Sequence, residues 1–346
     1  MNKNSSKKTL ETKSSLEHKT KRILVVQCCV GIGDMAMHLP YIHSLAKRAV
    51  PAKVSLLTKE RTLASDLFLE NPLIDDIFFI KQRSTLSALQ ISSQLRPHGF
   101  SEVWILHHSA SVSFACWLAG IPKRYGYGVG KQRLFLTHSL HHVVQPLESV
   151  ADHVNLPRQL FAEQGVSLDP GSERIPIAPL NQAVVTTFLQ DKPQPLIALG
   201  VGASEPARRW APQHFATLIH QLHGQQAEGC FLLCGSKSDE TICQAIFSHL
   251  TPEMQKKTIP VLHMGIQQMA GVLGSCQLVI GNDSSLVNIA AAMGRPTLGL
   301  FGVNPPLVHS PCITPVLPRS GRVHPRGMEE IFPDDVISKA IFLLRG

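Results

Sequence analysis

The chain has no apolar run of 18 residues, the length a bilayer-spanning helix needs. Its first 22 residues lack the apolar centre of a secretory signal. No C-x-x-C pair occurs among its eight cysteines. Cys28, Cys29, Cys230 and Cys234 lie in or beside strand-like runs, and Cys116, Cys243 and Cys276 in apolar segments. Reduced, buried thiols acting as small hydrophobes are therefore expected. The adjacent pairs His107-His108 and His141-His142 point different ways on a strand, and no helical pair four apart with a carboxylate accompanies them. No metal site is expected. Nor is there a short internal repeat.

Net positive charge is scarce outside one place. Residues 1–22 carry Lys3, Lys7, Lys8, Lys13, Lys19, Lys21 and Arg22 against Glu11 and Glu17, which is +5 of the net +8. The rest of the chain is only mildly basic, so a nucleic-acid partner is not expected. Residues 1–21 read as a disordered basic tail, either idle in solvent or touching an anionic membrane surface. The expected location is the cytoplasm.

What is present is alternation. The spacing predicts strand Arg22–Cys29, helix Met35–Ala49, strand Lys53–Thr58, helix Arg61–Glu70, strand Ile77–Ile80, helix Leu86–Leu95, strand Glu102–Leu106 and helix Val112–Leu118. Residues 123–146 read as irregular, and Val150–Glu163 as a helix. A Pro-, Gly- and Ser-rich stretch at 165–195 suggests a domain boundary. Alternation then restarts with strands Pro195–Leu199 and Cys230–Cys234, and ends in a helix at Pro333–Leu344. Residues 303–325 read as Pro-rich and irregular. The expected architecture is α/β: two tandem Rossmann-like, doubly wound domains, 22–175 and 176–346, facing across a cleft. The last helix could return to the N-terminal domain.

Four loops could carry chemistry. In the first, Leu278–Ile280 stops at Gly281-Asn282-Asp283-Ser284-Ser285, and an alanine-rich helix follows. Asp283, Ser284 and Ser285 are N-cap types beside unpaired helix N–H groups, which makes this corner either a phosphate site or an ordinary cap. In the second, Gly31-Ile32-Gly33-Asp34-Met35-Ala36 matches G-x-G-x-x-A after a strand. A carboxylate there would repel a pyrophosphate. Asp34 is thus either a helix cap or a base taking a proton from an attacking hydroxyl, with Gly33 allowing close approach. The third loop, Gly202–Pro212, offers Ser204, Arg208 and Arg209, which read as surface arginines or as counter-charge for a leaving diphosphate. In the fourth, Gly235–Glu240, Asp239 or Glu240 could hold ribose hydroxyls or cap the next helix. Met264 reads as core or as the wall of a base pocket.

The segments ILVVQCCVGIGDMAMHLPYIHSL, GASEPARRWAPQHFATLIHQL, CGSKSDE and LVIGNDSSLVNIAAAMGRPTLGLFGVNPP, taken in this order, resemble glycosyltransferase family 9, the lipopolysaccharide heptosyltransferases. The resemblance implies a GT-B architecture. It also implies metal-independent, inverting transfer of heptose from a nucleotide diphosphate sugar, typically ADP-heptose, to an anionic lipopolysaccharide-core acceptor. It requires no cofactor. It makes Asp34 the catalytic aspartate, Arg208 the donor-phosphate contact, and Ser204 a hydroxyl in the same loop. Asp239 or Glu240 becomes the ribose contact and Met264 an adenine neighbour, while Asp283, Ser284 and Ser285 form the phosphate corner. Gly33, Lys123 and Arg124, with Lys131 and Arg133, would meet the acceptor. This chain differs from the family pattern in having Ser285 for a glycine, Asn288 for a histidine and Asn304-Pro305 for Thr-Asp. Transfer of another nucleotide sugar, non-catalytic nucleotide or glycan binding, and NAD-dependent oxidoreduction are the alternatives.

Overall fold

The computed structural model describes residues 21–29, 31–80, 87–142, 152–169, 171–225, 229–307 and 309–345. The basic tail lies outside them. Among the described residues twelve strands form two sheets, each fully parallel. The first holds β1 Ile23–Val26, β2 Val54–Thr58, β3 Ile74–Phe79, β4 Glu102–Ile105, β5 Lys123–Gly126 and β6 His138–Ser139, in the order β3-β2-β1-β4-β5-β6. The second holds β7 Leu196–Gly200, β8 Cys230–Cys234, β9 Thr258–Val261, β10 Leu278–Asn282, β11 Thr297–Leu300 and β12 Ile313–Val316, in the order β12-β11-β10-β7-β8-β9. Counted from its own first strand, each sheet has the doubly wound order 3-2-1-4-5-6, so both are Rossmann-like.

Parallel strands covered on both faces need apolar residues at every position. β1, β2, β7, β8, β10 and β11 are buried throughout. β3, β9 and β12 lie at sheet edges and are buried at only some of their positions. Pro260 and Pro315 sit in β9 and β12, where a missing N–H costs least.

Two compact units result. Among the described residues, one draws on 21–28, 42–58 and 72–142 and carries the first sheet. The other draws on the described residues of 29–41, 59–71 and 152–345 and carries the second. The turn after β1, the first part of the helix Ile32–Ala49 and the connection after β2 thus group with the second sheet. In the second unit, the helices Pro212–Gln225, Glu240–Ser248 and Pro333–Arg345 share a core with Leu199, Phe231, Leu233 and Ile280. The last helix enters it through Val336, Ile337 and Ala340, so it is seated on the second sheet. Elsewhere in this unit the helices Pro179–Leu189 and Ile266–Ser275 pack closely. A Cβ on Gly271 would stand 2.9 Å from Val185.

Several elements differ from the sequence reading. The expected helix at 61–70 is a 3-10 turn, Glu60–Thr62, and a short helix, Ala64–Leu67. Leu63 between them is left-handed, with φ 50°, which ends one helix before the next begins. The irregular stretch at 123–146 contains β5, β6 and the 3-10 turn Gly130–Phe135, and that at 303–325 contains β12. These strands are short or Pro-bearing, and only their neighbours in the sheet reveal them. The 165–195 stretch holds the helix Pro179–Leu189. All eight cysteines are free thiols. Among the described residues, no helix is long and apolar enough to cross a membrane.

Candidate active site

In a doubly wound sheet, ligands bind beyond the carboxyl ends of the strands where the order reverses. In the second sheet that point lies between β7 and β10. The two strands are drawn together at Gly200 and Gly281, where a Cβ on either would stand about 3.2–3.3 Å from the other's Cα. A cavity of about 1150 Å³ opens there, lined wholly by residues of the second unit.

A buried asparagine ties its walls. Asn282 ends β10 and is fully buried. Its Nδ2 donates to the Val201 carbonyl at 2.8 Å, and its Oδ1 accepts from the Trp210 N–H at 2.9 Å. Trp210 in turn donates its indole N–H to the Ile331 carbonyl at 2.8 Å. One side chain therefore holds the end of β7, the end of β10 and the loop carrying Arg208. Asn282→Leu leaves two buried backbone groups unpaired, each worth about 1–3 kcal/mol. The expected outcome is a clear drop in melting temperature by calorimetry.

Arg208 reaches across the site opening. Its Nη1 donates to Asp283 Oδ2 at 3.3 Å, and its Nη2 to Ser204 Oγ at 2.6 Å and Glu205 Oε1 at 3.0 Å. Asn304 Nδ2 also donates to Asp283 Oδ2, at 3.1 Å. Asp283 therefore faces Arg208 rather than capping the helix. The cap of the helix Ser285–Ala292 is Ser284, whose side chain makes no capping bond. The Ser284 hydroxyl and Arg208 Nε are both buried without a protein partner. The corner thus holds donors that the chain itself does not use, which a phosphate oxygen could satisfy.

Asp34 lies at the third position of the helix Ile32–Ala49, which starts three residues earlier than its spacing predicts. Its Oδ2 accepts from the Gly31 N–H at 2.9 Å, half of a capping box. His38, one turn on, bonds through Nδ1 to the Asp34 carbonyl at 2.7 Å. Gly33 is needed for packing. A Cβ there would stand 2.6 Å from Asn288 Nδ2 and 3.4 Å from Ser285 Cα. The first turns of the two helices touch at this point, so the space a dinucleotide fingerprint reserves for pyrophosphate is filled by protein. Burial, reinforced by the Asp34 charge and opposed by Lys59, pushes the Cys29 thiol up to about 12, so Cys29 is no nucleophile near neutral pH.

The cavity is lined by Gly33 and Asp34, by Ser204 and Arg208, and by Asp283, Ser284 and Ser285. Asp239 and Met264 also line it. Asp239 Oδ2 accepts from the Ser236 N–H at 2.8 Å and the Ser236 hydroxyl at 2.9 Å, as a cap does. Its carboxyl is pressed between Gly202 and Gly235, where any Cβ would come within 3 Å of it. Glu240 is exposed and does not line the cavity. Lys123 and Arg124 begin β5 in the first unit and do not line it either. Arg124 is occupied with the carbonyls of Phe135, at 2.6 Å, of Pro122, at 3.2 Å, and of Ile121.

Arg61, Leu63 and Asp66, from the connection after β2, also line the cavity, and no sequence signal marks them. Gln267 anchors that connection. It is buried, its Nε2 donates to the carbonyls of Leu67 (3.3 Å) and Leu69 (2.9 Å), and its Oε1 accepts from Ala178 N and Asn181 Nδ2, both at 2.9 Å. The lining charges include Arg61, Arg208, Arg209 and Lys237 against Asp34, Asp66, Glu205, Asp239 and Asp283. Anion binding here depends on where donors point, since net charge does not favour it. Among the described residues no three His, Cys, Asp or Glu side chains gather as a metal-ligand set.

A model of glycosyltransferase family 9 (heptosyltransferase) matches residues 88–316. Lipopolysaccharide heptosyltransferase 2 of Salmonella typhimurium is 25% identical over 250 residues, covering 68% of this chain and 67% of that protein. The structure of Escherichia coli ADP-heptose lps heptosyltransferase II matches with a TM-score of 0.72 at 21% identity, covering 94% of this chain and 98% of that one. A glycosyl transferase family 9 structure from Veillonella parvula matches with a TM-score of 0.74 at 20% identity, over 94% and 97% of the two chains. The family match spans about two thirds of the sequence, from the helix before β4 to the last strand of the second sheet, and on it the chain belongs to glycosyltransferase family 9.

Proposed function

We propose that this protein transfers heptose from a nucleotide diphosphate sugar such as ADP-heptose to a lipopolysaccharide-core or related anionic glycan. The observation that carries this reading is a single cavity lined by both the Asp34 carboxylate and the Arg208–Asp283–Ser284 corner. A proton acceptor and an anion cradle are the two things a direct displacement needs.

The acceptor hydroxyl gives its proton to Asp34 and attacks the anomeric carbon from the face opposite the nucleotide. The C1–oxygen bond to the diphosphate breaks as the new glycosidic bond forms, so configuration inverts. The departing diphosphate takes the electron pair. Arg208, the Ser204 and Ser284 hydroxyls and the first backbone N–H groups of the helix Ser285–Ala292 stabilise it there. No step calls on a metal or a cofactor. Met264 lines the nucleobase end, and Asp239 meets the ribose while still capping its own turn. Residues 22–175 supply the acceptor site, with Gly33, Lys123 and Arg124 among its contacts. A glycolipid acceptor brings the enzyme to the inner face of the cytoplasmic membrane.

A thermal-shift series with ADP-, GDP-, UDP- and CMP-sugars, followed by a transfer assay, tests this. ADP-heptose should raise the melting temperature most, because a ligand bound only to the folded state stabilises it. Transfer should survive EDTA unchanged. Preference for another nucleotide would redirect the reading to a different sugar donor. Binding without transfer to any acceptor would overturn it in favour of a non-catalytic homologue.

A further inference from the structure

One surface of the first unit is built unlike a solvated face. Trp117, in the last turn of the helix Ala110–Leu118, is 48% exposed, and Leu134, in the 3-10 turn Gly130–Phe135, is 76% exposed. Phe114 and Trp117 lie three residues apart on one helix face, their rings stacked at 5.7 Å. Phe135 packs beside both, at 5.1 and 6.2 Å. The result is a contiguous aromatic ridge with Leu134 next to it in sequence. Large apolar side chains grouped in the open mark a contact surface.

The stretch of chain that carries it has charge of one sign. Lys131 and Arg133 belong to the same 3-10 turn and are exposed, and their side chains make no hydrogen bond or ion pair with the described residues. From Val103 to His142, forty residues contain no Asp or Glu, but four Lys or Arg. Aromatic rings settle at the headgroup level of a bilayer, apolar side chains just beneath it, and basic residues against anionic headgroups. Self-association fits poorly, because a two-fold contact through this patch would set Lys131 and Arg133 against their own copies with no carboxylate in residues 103–142 to offset them.

We propose that this patch docks on the surface of an anionic lipid bilayer, with Trp117 and Leu134 entering the headgroup–acyl boundary and Lys131 and Arg133 facing the headgroups. The proposal deepens the glycolipid-acceptor reading, yet its test uses neither donor nor acceptor, so the two fail separately.

The chain has three tryptophans. Trp104 and Trp210 are 0% and 1% exposed, so fluorescence changes at a lipid surface come from Trp117. The full-length protein is mixed with vesicles of phosphatidylcholine, alone or with phosphatidylglycerol, carrying brominated acyl chains. The expected result is a blue shift and quenching with phosphatidylglycerol present and neither with phosphatidylcholine alone. Trp117→Ser/Leu134→Ser should lower partitioning in flotation about tenfold or more, with circular dichroism unchanged. Lys131→Gln/Arg133→Gln should lower it and flatten its salt dependence. Any of three results would overturn the proposal: flotation with unaltered emission (binding through residues 1–21), wild-type partitioning of the Trp117→Ser/Leu134→Ser variant, or a dimer in solution that this variant abolishes.

Discussion

Asp34→Asn is expected to lower turnover by about 10²- to 10⁴-fold while leaving the fold and donor affinity close to wild type. Asparagine keeps the shape, and its Oδ1 can accept the Gly31 N–H that Asp34 Oδ2 accepts at 2.9 Å. The helix start is therefore preserved, as is the contact of its first turn with Ser285 and Asn288. What the amide cannot do is take a proton from the attacking hydroxyl. The loss should fall on kcat, with the donor KM nearly constant, since the group acts only as the new bond forms. Asp34→Ala separates the two roles, because it removes the capping bond as well and should also lower the melting temperature. Full turnover in the asparagine variant would remove Asp34 as the base and leave it a capping residue.

Arg208→Ala should cost about 10²- to 10³-fold in kcat/KM, shared between a higher donor KM and a lower kcat. Arg208 bridges Ser204, Glu205 and Asp283, and it offsets two carboxylates at the place where a diphosphate would lie. Without it, Asp283 retains the Asn304 amide but no cation, and its charge opposes the phosphates. Arg208→Lys keeps the charge and loses the planar fork, so it should fall between wild type and alanine. A Ser204→Ala variant, which removes one bond and no charge, should lose far less. If Arg208→Ala left both donor KM and kcat unchanged, the cradle would have to be the helix start alone.

These two residues were visible in the sequence for local reasons. Asp34 stands in a glycine turn after an apolar run, and Arg208 precedes Trp210 in a loop that leaves a strand. Their partners were not visible. Asp283 reads as a helix cap, but its carboxylate turns to a guanidinium 75 residues away. Asp239 and Glu240 are equivalent as ribose contacts on paper. In the structure, Asp239 is clasped by Ser236 between two glycines and Glu240 lies in solvent. Asn282 reads only as part of the polar turn after a strand, although it ends that strand and pins three segments.

The sequence alone determined the fold class, because strands buried on both faces must be apolar at every position and the connections between parallel strands must be helical. It also determined which loops end those strands, since glycine and helix-capping residues announce a turn locally. Tertiary structure decided the rest: the short edge strands that exist only by pairing, the 59–71 connection that Gln267 draws to the cavity wall, and which carboxylates are spent on the chain's own N–H and guanidinium groups. The physical reason is distance along the chain. A cap or a buried run is set by neighbours within one turn, whereas a site is set by side chains that folding brings together from remote segments.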